Sequence, residues 1–191
     1  MLLSLDGDIS EQEEQSSQLV ELARLGDAGA FTALFHQYNA PICAYLARMV
    51  GNDEVGRDLA QETFLHAWKS LPVLSGELQF KPWLYRVATN LARSHMRHER
   101  LVRWLPWVEH EGLRQSAGPE EGVSENECIR LALAQLAPRC RACLLLQVVG
   151  GFTQREIASM LAISEKSVSA YVSRGREQFR RLYRQAKGVS A

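Results

Sequence analysis

The sequence predicts an all-α protein: two small helical domains joined by a flexible linker, the second containing a helix-turn-helix. Three observations lead there. Apolar residues recur at three- and four-residue spacing through almost the whole chain, and no stretch alternates as a strand would. The rhythm breaks over 104–124, where Pro, Gly and acidic residues gather as they do in an interdomain linker. Charge is graded: residues 1–66 hold 3 Lys/Arg against 11 Asp/Glu, a balance of −8, and residues 128–191 hold 11 against 3, a balance of +8. The net charge of zero hides that gradient, and a basic C-terminal third is the electrostatic footprint of phosphate binding.

Several classes fall away on composition. No segment approaches the ~18 unbroken apolar residues of a membrane span. The start, MLLSLDGDISEQEEQ, turns acidic without a basic region ahead of an apolar run, so no signal peptide is expected and the chain is placed in the cytoplasm. Cys140 and Cys143 have the spacing of half a zinc site, but neither a second pair nor a His pair follows, so no metal and no cofactor are expected. His36, His66, His95, His98 and His110 show no metal spacing, and there is no glycine-rich phosphate loop or nucleophile–base pair. An enzyme with a small-molecule substrate is therefore not the reading.

In order along the chain, residues 1–15 are expected to be a disordered acidic segment. The first domain, 16–103, opens with a helix from about Ser17 to Leu25, ended by Gly26. Asp27 caps a second helix from Ala28 to about Val50, whose apolar face includes Phe31, Leu34, Phe35, Ile42, Tyr45 and Met49; Pro41 is expected to bend it. Gly51 stops it, and Asp53 is read as the cap of a third helix. That helix has two faces. Ala60, Phe64, Ala67, Trp68 and Leu71 belong to the core, whereas Asp58, Gln61, Glu62, Leu65 and Lys69 form a polar stripe with one leucine in it, a pattern that suits docking as well as solvation.

After a break at 72–79, a fourth helix runs from about Lys81 to Arg103, with Pro82 in its first turn. Trp83, Leu84, Val87, Leu91 and Met96 supply packing. Six Lys/Arg stand on it against the single Glu99, and aromatic residues open it, a combination that suits nucleic acid. The linker 104–124 follows, with Trp104, Leu105 and Trp107 apolar for a free tether. The second domain, 125–186, begins with helices from Glu125 and from Pro138.

Thr153 and Glu156 then form a T-x-x-E capping box. Ile157, Ala158, Leu161, Ile163, Val168 and Tyr171 fall where two short helices pack across a turn. Ala162 holds the turn position where glycine is commoner, and Ser164 caps the second helix. Such a helix lies in the DNA major groove with its N-terminal residues near base edges. Its outer face offers Lys166, Ser167, Ser169, Ala170, Ser173 and Arg174.

Two further runs are specific. Asp58-Leu59-Ala60-Gln61-Glu62-Thr63-Phe64-Leu65-His66-Ala67-Trp68 resembles the D-L-x-Q-E-x-F-L-x-x-W signature of extracytoplasmic-function (ECF) sigma factors. Residues 80–93, FKPWLYRVATNLAR, resemble the next motif of that family. Leu136-Ala137-Pro138-Arg139 and Gly151-Phe152-Thr153-Gln154-Arg155-Glu156-Ile157-Ala158 resemble its promoter-reading domain. The resemblance covers about 17–103 and 125–184, in the family's order.

It implies a transcription initiation factor with three partners: core RNA polymerase (β′ clamp helices and β subunit), promoter DNA, and an anti-sigma factor that is commonly membrane-anchored. Asp58, Gln61, Glu62 and Leu65 would then bind core polymerase. The −10 element would be taken by the loop 73–80, holding a flipped base, and by Lys81, Trp83, Arg86, Asn90, Arg93, Arg97 and Arg100. The −35 element would meet Thr153, Lys166, Ser167, Ser169, Ala170, Ser173, Arg174 and Arg176, with Arg180 and Arg181 near phosphates. The run Ser167-Val168-Ser169-Ala170-Tyr171 departs from a T-V-x-S-R pattern common in the family, so the −35 sequence cannot be carried over, and Tyr171 is read as core. The rival is a LuxR-type helix-turn-helix regulator, which requires an α/β phosphoacceptor domain or a ligand-binding domain in front.

Overall fold

The computed structural model describes residues 5–74, 76, 78–103 and 124–188; the side chains of 5–14 and 100–103 lie outside that description. Helix α1 spans Leu5–Arg24, starting ahead of the Ser17 expected from the sequence. Glu and Gln are good helix formers, and acidic side chains near a helix N-terminus favour its dipole. Residues 1–4 are outside the described residues.

The turns between the next helices are set by side-chain and glycine caps. Asp27 Oδ1 accepts from the Ala30 N–H at 2.9 Å and starts α2, Ala28–Val50, which continues through Pro41. Gly51, at φ 80°, ends it and donates its N–H to the Ala47 carbonyl. Asn52, not Asp53, caps α3, Asp53–Ser70: its Oδ1 accepts from Glu54 and Val55 at 2.9 and 3.0 Å. Asp53 is instead the first helical residue, where its charge still favours the dipole. A 3₁₀ turn, Leu71–Val73, leads toward α4, Phe80–Arg103.

The second domain holds α5 (Glu125–Ala134), α6 (Pro138–Val148), α7 (Gln154–Leu161) and α8 (Glu165–Ala186). Ser124, assigned by sequence to the linker, is the N-cap of α5, its Oγ accepting from Glu127 at 3.3 Å. The expectations placed on Trp104, Leu105 and Trp107 lie outside the described residues.

Burial follows the apolar spacing. Leu34, Ile42, Tyr45, Leu46 and Met49 of α2 meet Phe64 and Ala67 of α3 and Leu84, Ala88 and Ala92 of α4. Each fully buried aliphatic side chain of this kind contributes about 1.5–3 kcal/mol of transfer free energy. Helix α3 packs tightly on α2 at Gly56, where an added Cβ would lie 2.6 Å from the Cα and N of Ala47. In the second domain Leu133, Leu136, Cys143, Leu146, Ile157 and Val168 are buried together.

These two cores are continuous. Buried residues of both domains form one cluster, with α5 and α6 against the end of α2, and α7 against α4. Among the described residues no helix is long and apolar enough to cross a membrane.

Candidate polymerase and nucleic-acid interfaces

The helix-turn-helix is built as its sequence prescribes. The Thr153 N–H donates to Glu156 Oε2 at 2.7 Å, while Thr153 Oγ1 accepts from the Glu156 N–H at 3.3 Å. Ala162 takes the turn in the left-handed region, φ 52° and ψ 50°, and its N–H closes the end of α7. Ser164 Oγ accepts from the Ser167 N–H at 3.2 Å and starts α8. Ile157 and Val168 are fully buried across the turn.

That packing leaves Lys166, Ser169, Ala170, Ser173 and Arg174 exposed, and Ser167 half-buried at the cap. Arg176 is exposed too, but donates to Gln147 Oε1 at 2.9 Å, which fixes it along α6. Tyr171 is half-buried, as a packing residue should be, and its hydroxyl accepts from Arg139 at 3.3 Å.

On α4, Arg86, Asn90, Arg93 and Arg97 are exposed, and their spacing of four, three and four puts them on one face. The side chain of Arg100 is outside the described residues. Lys81 Nζ lies 5.0 Å from the ring centroid of Phe152 in the second domain. Trp83, expected as a DNA contact, is 7% exposed and packs against Phe80, so no base can stack on it in this arrangement. Its position at i+3 from Phe80 points it inward, with Leu84 beside it. Tyr38, Leu78, Phe80 and Lys81 line a cleft of about 520 Å³ at the 73–80 loop, whose far wall is Gly151, Phe152 and Glu156. Ser75 and Glu77 of that loop lie outside the described residues.

On α3 the two faces separate cleanly. Ala60, Phe64 and Ala67 are buried, whereas Asp58, Gln61, Glu62 and Lys69 are exposed, and Leu65 is 54% exposed between them. Cys140 and Cys143 are buried on α6, and burial pushes the Cys143 thiol up to about 11.

Sequence reading missed three features. Arg141, a charged residue in the first turn of α6, is 6% exposed and donates to the carbonyls of Met49, Ala134 and Leu136 at 2.8, 2.5 and 3.3 Å. Tyr85 is buried against Phe152, ring centroids 5.0 Å apart. A buried chain of hydroxyls joins α2 to α4: Tyr45 OH meets Thr89 Oγ1 at 2.8 Å, and Thr89 donates to the Tyr85 carbonyl at 2.7 Å. Only Arg141, set between apolar residues in the run CRACLLL, carried a signal in the sequence.

The LuxR-type alternative finds no support in the front half of the chain. The described residues ahead of the helix-turn-helix form helices only, with no strand from which to build an α/β receiver. Comparison with known proteins agrees. The family description "Sigma-70 region 2" matches residues 34–102, and "Sigma-70, region 4" matches residues 126–179. The chain is 34% identical over 164 residues to RNA polymerase sigma factor CarQ of Myxococcus xanthus, an alignment covering 85% of this chain and 94% of that one. It is 28% identical to ECF RNA polymerase sigma factor SigW of Bacillus subtilis, over 86% of this chain and 95% of the relative. In fold it is similar to sigma factor RpoE of Bartonella quintana, solved with the anti-sigma factor NepR: TM-score 0.65 at 21% identity, covering 80% of this chain and 95% of that one. Two sigma-70 regions in their proper order on an all-helical scaffold, with a relative matched along nearly its whole length, make this chain a member of the ECF sigma factors of RNA polymerase.

Proposed function

We propose that this protein binds core RNA polymerase and directs it to a promoter with −10 and −35 elements, working in the cytoplasm under the control of an anti-sigma factor. The observation that carries the reading is the division of surfaces. One exposed stripe on α3 keeps Leu65 in solvent among Asp58, Gln61 and Glu62, and two separate helices, α4 and α8, present basic outer faces. An exposed leucine inside an acidic stripe suits a partner that is apolar at its centre and basic around it, which is the role assigned here to the β′ clamp helices. Lys81, Arg86, Asn90, Arg93, Arg97 and Arg100 are assigned to the −10 element, with the 73–80 loop for a flipped base. Lys166, Ser167, Ser169, Ala170, Ser173 and Arg174 are assigned to the −35 major groove, and Thr153 and Arg176 to its phosphates. Trp83, buried beside Phe80, is left out of the −10 set.

RpoE of Bartonella quintana was solved with an anti-sigma factor bound. A partner of that kind fits this chain because a segment spanning both domains would cover the α4 and α8 faces together. The test is run-off transcription by purified core polymerase on a library of genomic fragments, with and without this protein. Initiation at defined sites only when both are present is the expected result, and it yields the promoter sequence. No initiation, with the protein failing to bind core polymerase in a separate pull-down, would refute the reading.

A further inference from the structure

A cleft of about 530 Å³ lies between α4 on one side and α6 and α8 on the other. Four guanidinium side chains line it: Arg93 and Arg97, one turn apart on α4, Arg139 in the first turn of α6, and Arg174 on α8. All four residues are exposed. No Asp or Glu lines the cleft, and among the described residues none of the four joins an ion pair. Like charges gathered around one space repel one another unless an anion sits among them. Arg139 donates to the Tyr171 hydroxyl at 3.3 Å, which holds its head between α6 and α8. The start of α6 adds to the same potential, since Ala137 and Pro138 line the cleft and Ala137 supplies no side-chain cap.

The rest of the lining is of another kind. Met96, Pro138 and Tyr171 give an apolar wall, and half-buried Gln178 offers an amide that both donates and accepts. The volume falls within the range of about 300–1,000 Å³ for small-molecule sites, which join an apolar lining to a few convergent polar groups. Such a lining suits an anion with a flat apolar part. Guanidinium forks match phosphate oxygens two by two, and a chain of phosphates carries charge enough for several forks, as a single carboxylate does not. A DNA duplex is too wide to enter a space of this size.

We propose that this cleft is a binding site for a nucleoside polyphosphate, its phosphate chain among Arg93, Arg97, Arg139 and Arg174 and its base against Met96 and Tyr171, within reach of Gln178. The site goes beyond the promoter-reading function and does not rest on it. Arg93, Arg97 and Arg174 are also assigned above to promoter DNA, so a bound nucleotide and DNA draw on the same charges. Arg139 serves the cleft alone.

The test is calorimetric titration of the full native chain with ATP, with GTP and with inorganic tripolyphosphate, at ~0.15 M salt, where loose surface attraction is largely screened. At least one of the nucleotides is expected to bind once per chain, with tripolyphosphate a few-fold weaker because it has no base to lie on Tyr171. R139Q is expected to weaken nucleotide binding about tenfold, the loss of charge-assisted hydrogen bonds to phosphate. R57Q, the same change of charge on an exposed α3 arginine outside the cleft, is expected to leave it unchanged. Y171F releases the head of Arg139 without altering any charge; it is expected to cost a few-fold, and it decides the matter if R139Q loses its helical circular dichroism. A Kd weaker than about 1 mM for both nucleotides, several nucleotides per chain, or equal losses from R139Q and R57Q would each overturn the site. Tripolyphosphate binding as tightly as the nucleotides would overturn the nucleoside assignment. The titration uses neither polymerase nor DNA, so a failed transcription assay beside a bound nucleotide would refute the sigma role and leave this site standing.

Discussion

Ala162 carries the one left-handed backbone among the described non-glycine residues, at the turn of the helix-turn-helix. An L-residue there crowds its Cβ against the following carbonyl, a cost of roughly 1–2 kcal/mol that glycine avoids, offset in part by glycine's greater freedom in the unfolded chain. A162G is expected to raise stability by about 0.5–1 kcal/mol in urea unfolding; a loss would mean that the alanine methyl packs usefully. The opposite sign holds at Gly56. Its Cβ would meet the backbone of Ala47 at 2.6 Å, and backbone cannot swing aside as a side chain does. G56A should cost about 1–3 kcal/mol as α2 and α3 are forced apart, and an unchanged unfolding midpoint would show that the crossing has slack. The first position was legible, because a helix-turn-helix names its own turn. The second was not, since a glycine within a helix says nothing by itself about which helix lies over it.

At the scale of elements, caps and faces were the readable part. Asp27, Gly51, Ser164 and the Thr153–Glu156 box each do locally what their residue types dictate. The shift from Asp53 to Asn52 shows the limit, because both residues can cap and only the backbone decides. The two faces of α3 were also legible, since its apolar spacing leaves Asp58, Gln61, Glu62 and Leu65 together on the outside. Exposed as they are, their replacement should not touch the fold. E62A with L65A is expected to weaken core-polymerase binding at least tenfold, about 1.4 kcal/mol, with the thermal midpoint unchanged, as read by surface plasmon resonance and calorimetry. Retained affinity would remove α3 from the docking surface. On α8, K166A and R174A separate two kinds of contact: a phosphate contact weakens binding to all sequences and lowers its salt dependence, whereas a base reader relaxes preference at one position.

Over the whole molecule, the sequence could not show that the two domains share a core, because period and capping describe a helix's own face and not what covers it. Tyr85 follows from that: aromatic side chains at the head of a basic helix suggest nucleic acid, yet Tyr85 is buried against Phe152 of the second domain, and Trp83 is buried beside Phe80 of its own helix. The shared core also gathers three weak acids where the domains meet. Burial raises the Tyr85 phenol to about 12 and the Cys143 thiol to about 11, and it drives Tyr45 still higher. Tyr45 is faced by Tyr85, Cys143 and Arg93, and it keeps its proton for the hydrogen bond to Thr89. In the unfolded chain these groups ionise near their ordinary values of about 8.5 for the thiol and 10 for the phenols. Each pKa is raised on folding, so the stability they contribute is complete below about pH 8.5, declines as the pH climbs past the unfolded values, and is lost above the folded ones. Urea midpoints should therefore be flat through neutrality and fall from about pH 9 upward. Y45F isolates the largest contributor. It forfeits one hydrogen bond near pH 7, about 1 kcal/mol, but removes a proton that the unfolded chain would release, so its deficit against native protein should shrink above pH 10 and reverse near pH 11. Parallel pH curves for the two proteins would mean that the Tyr45 phenol is not shielded from solvent, and that the junction between the domains is looser than its buried rings require.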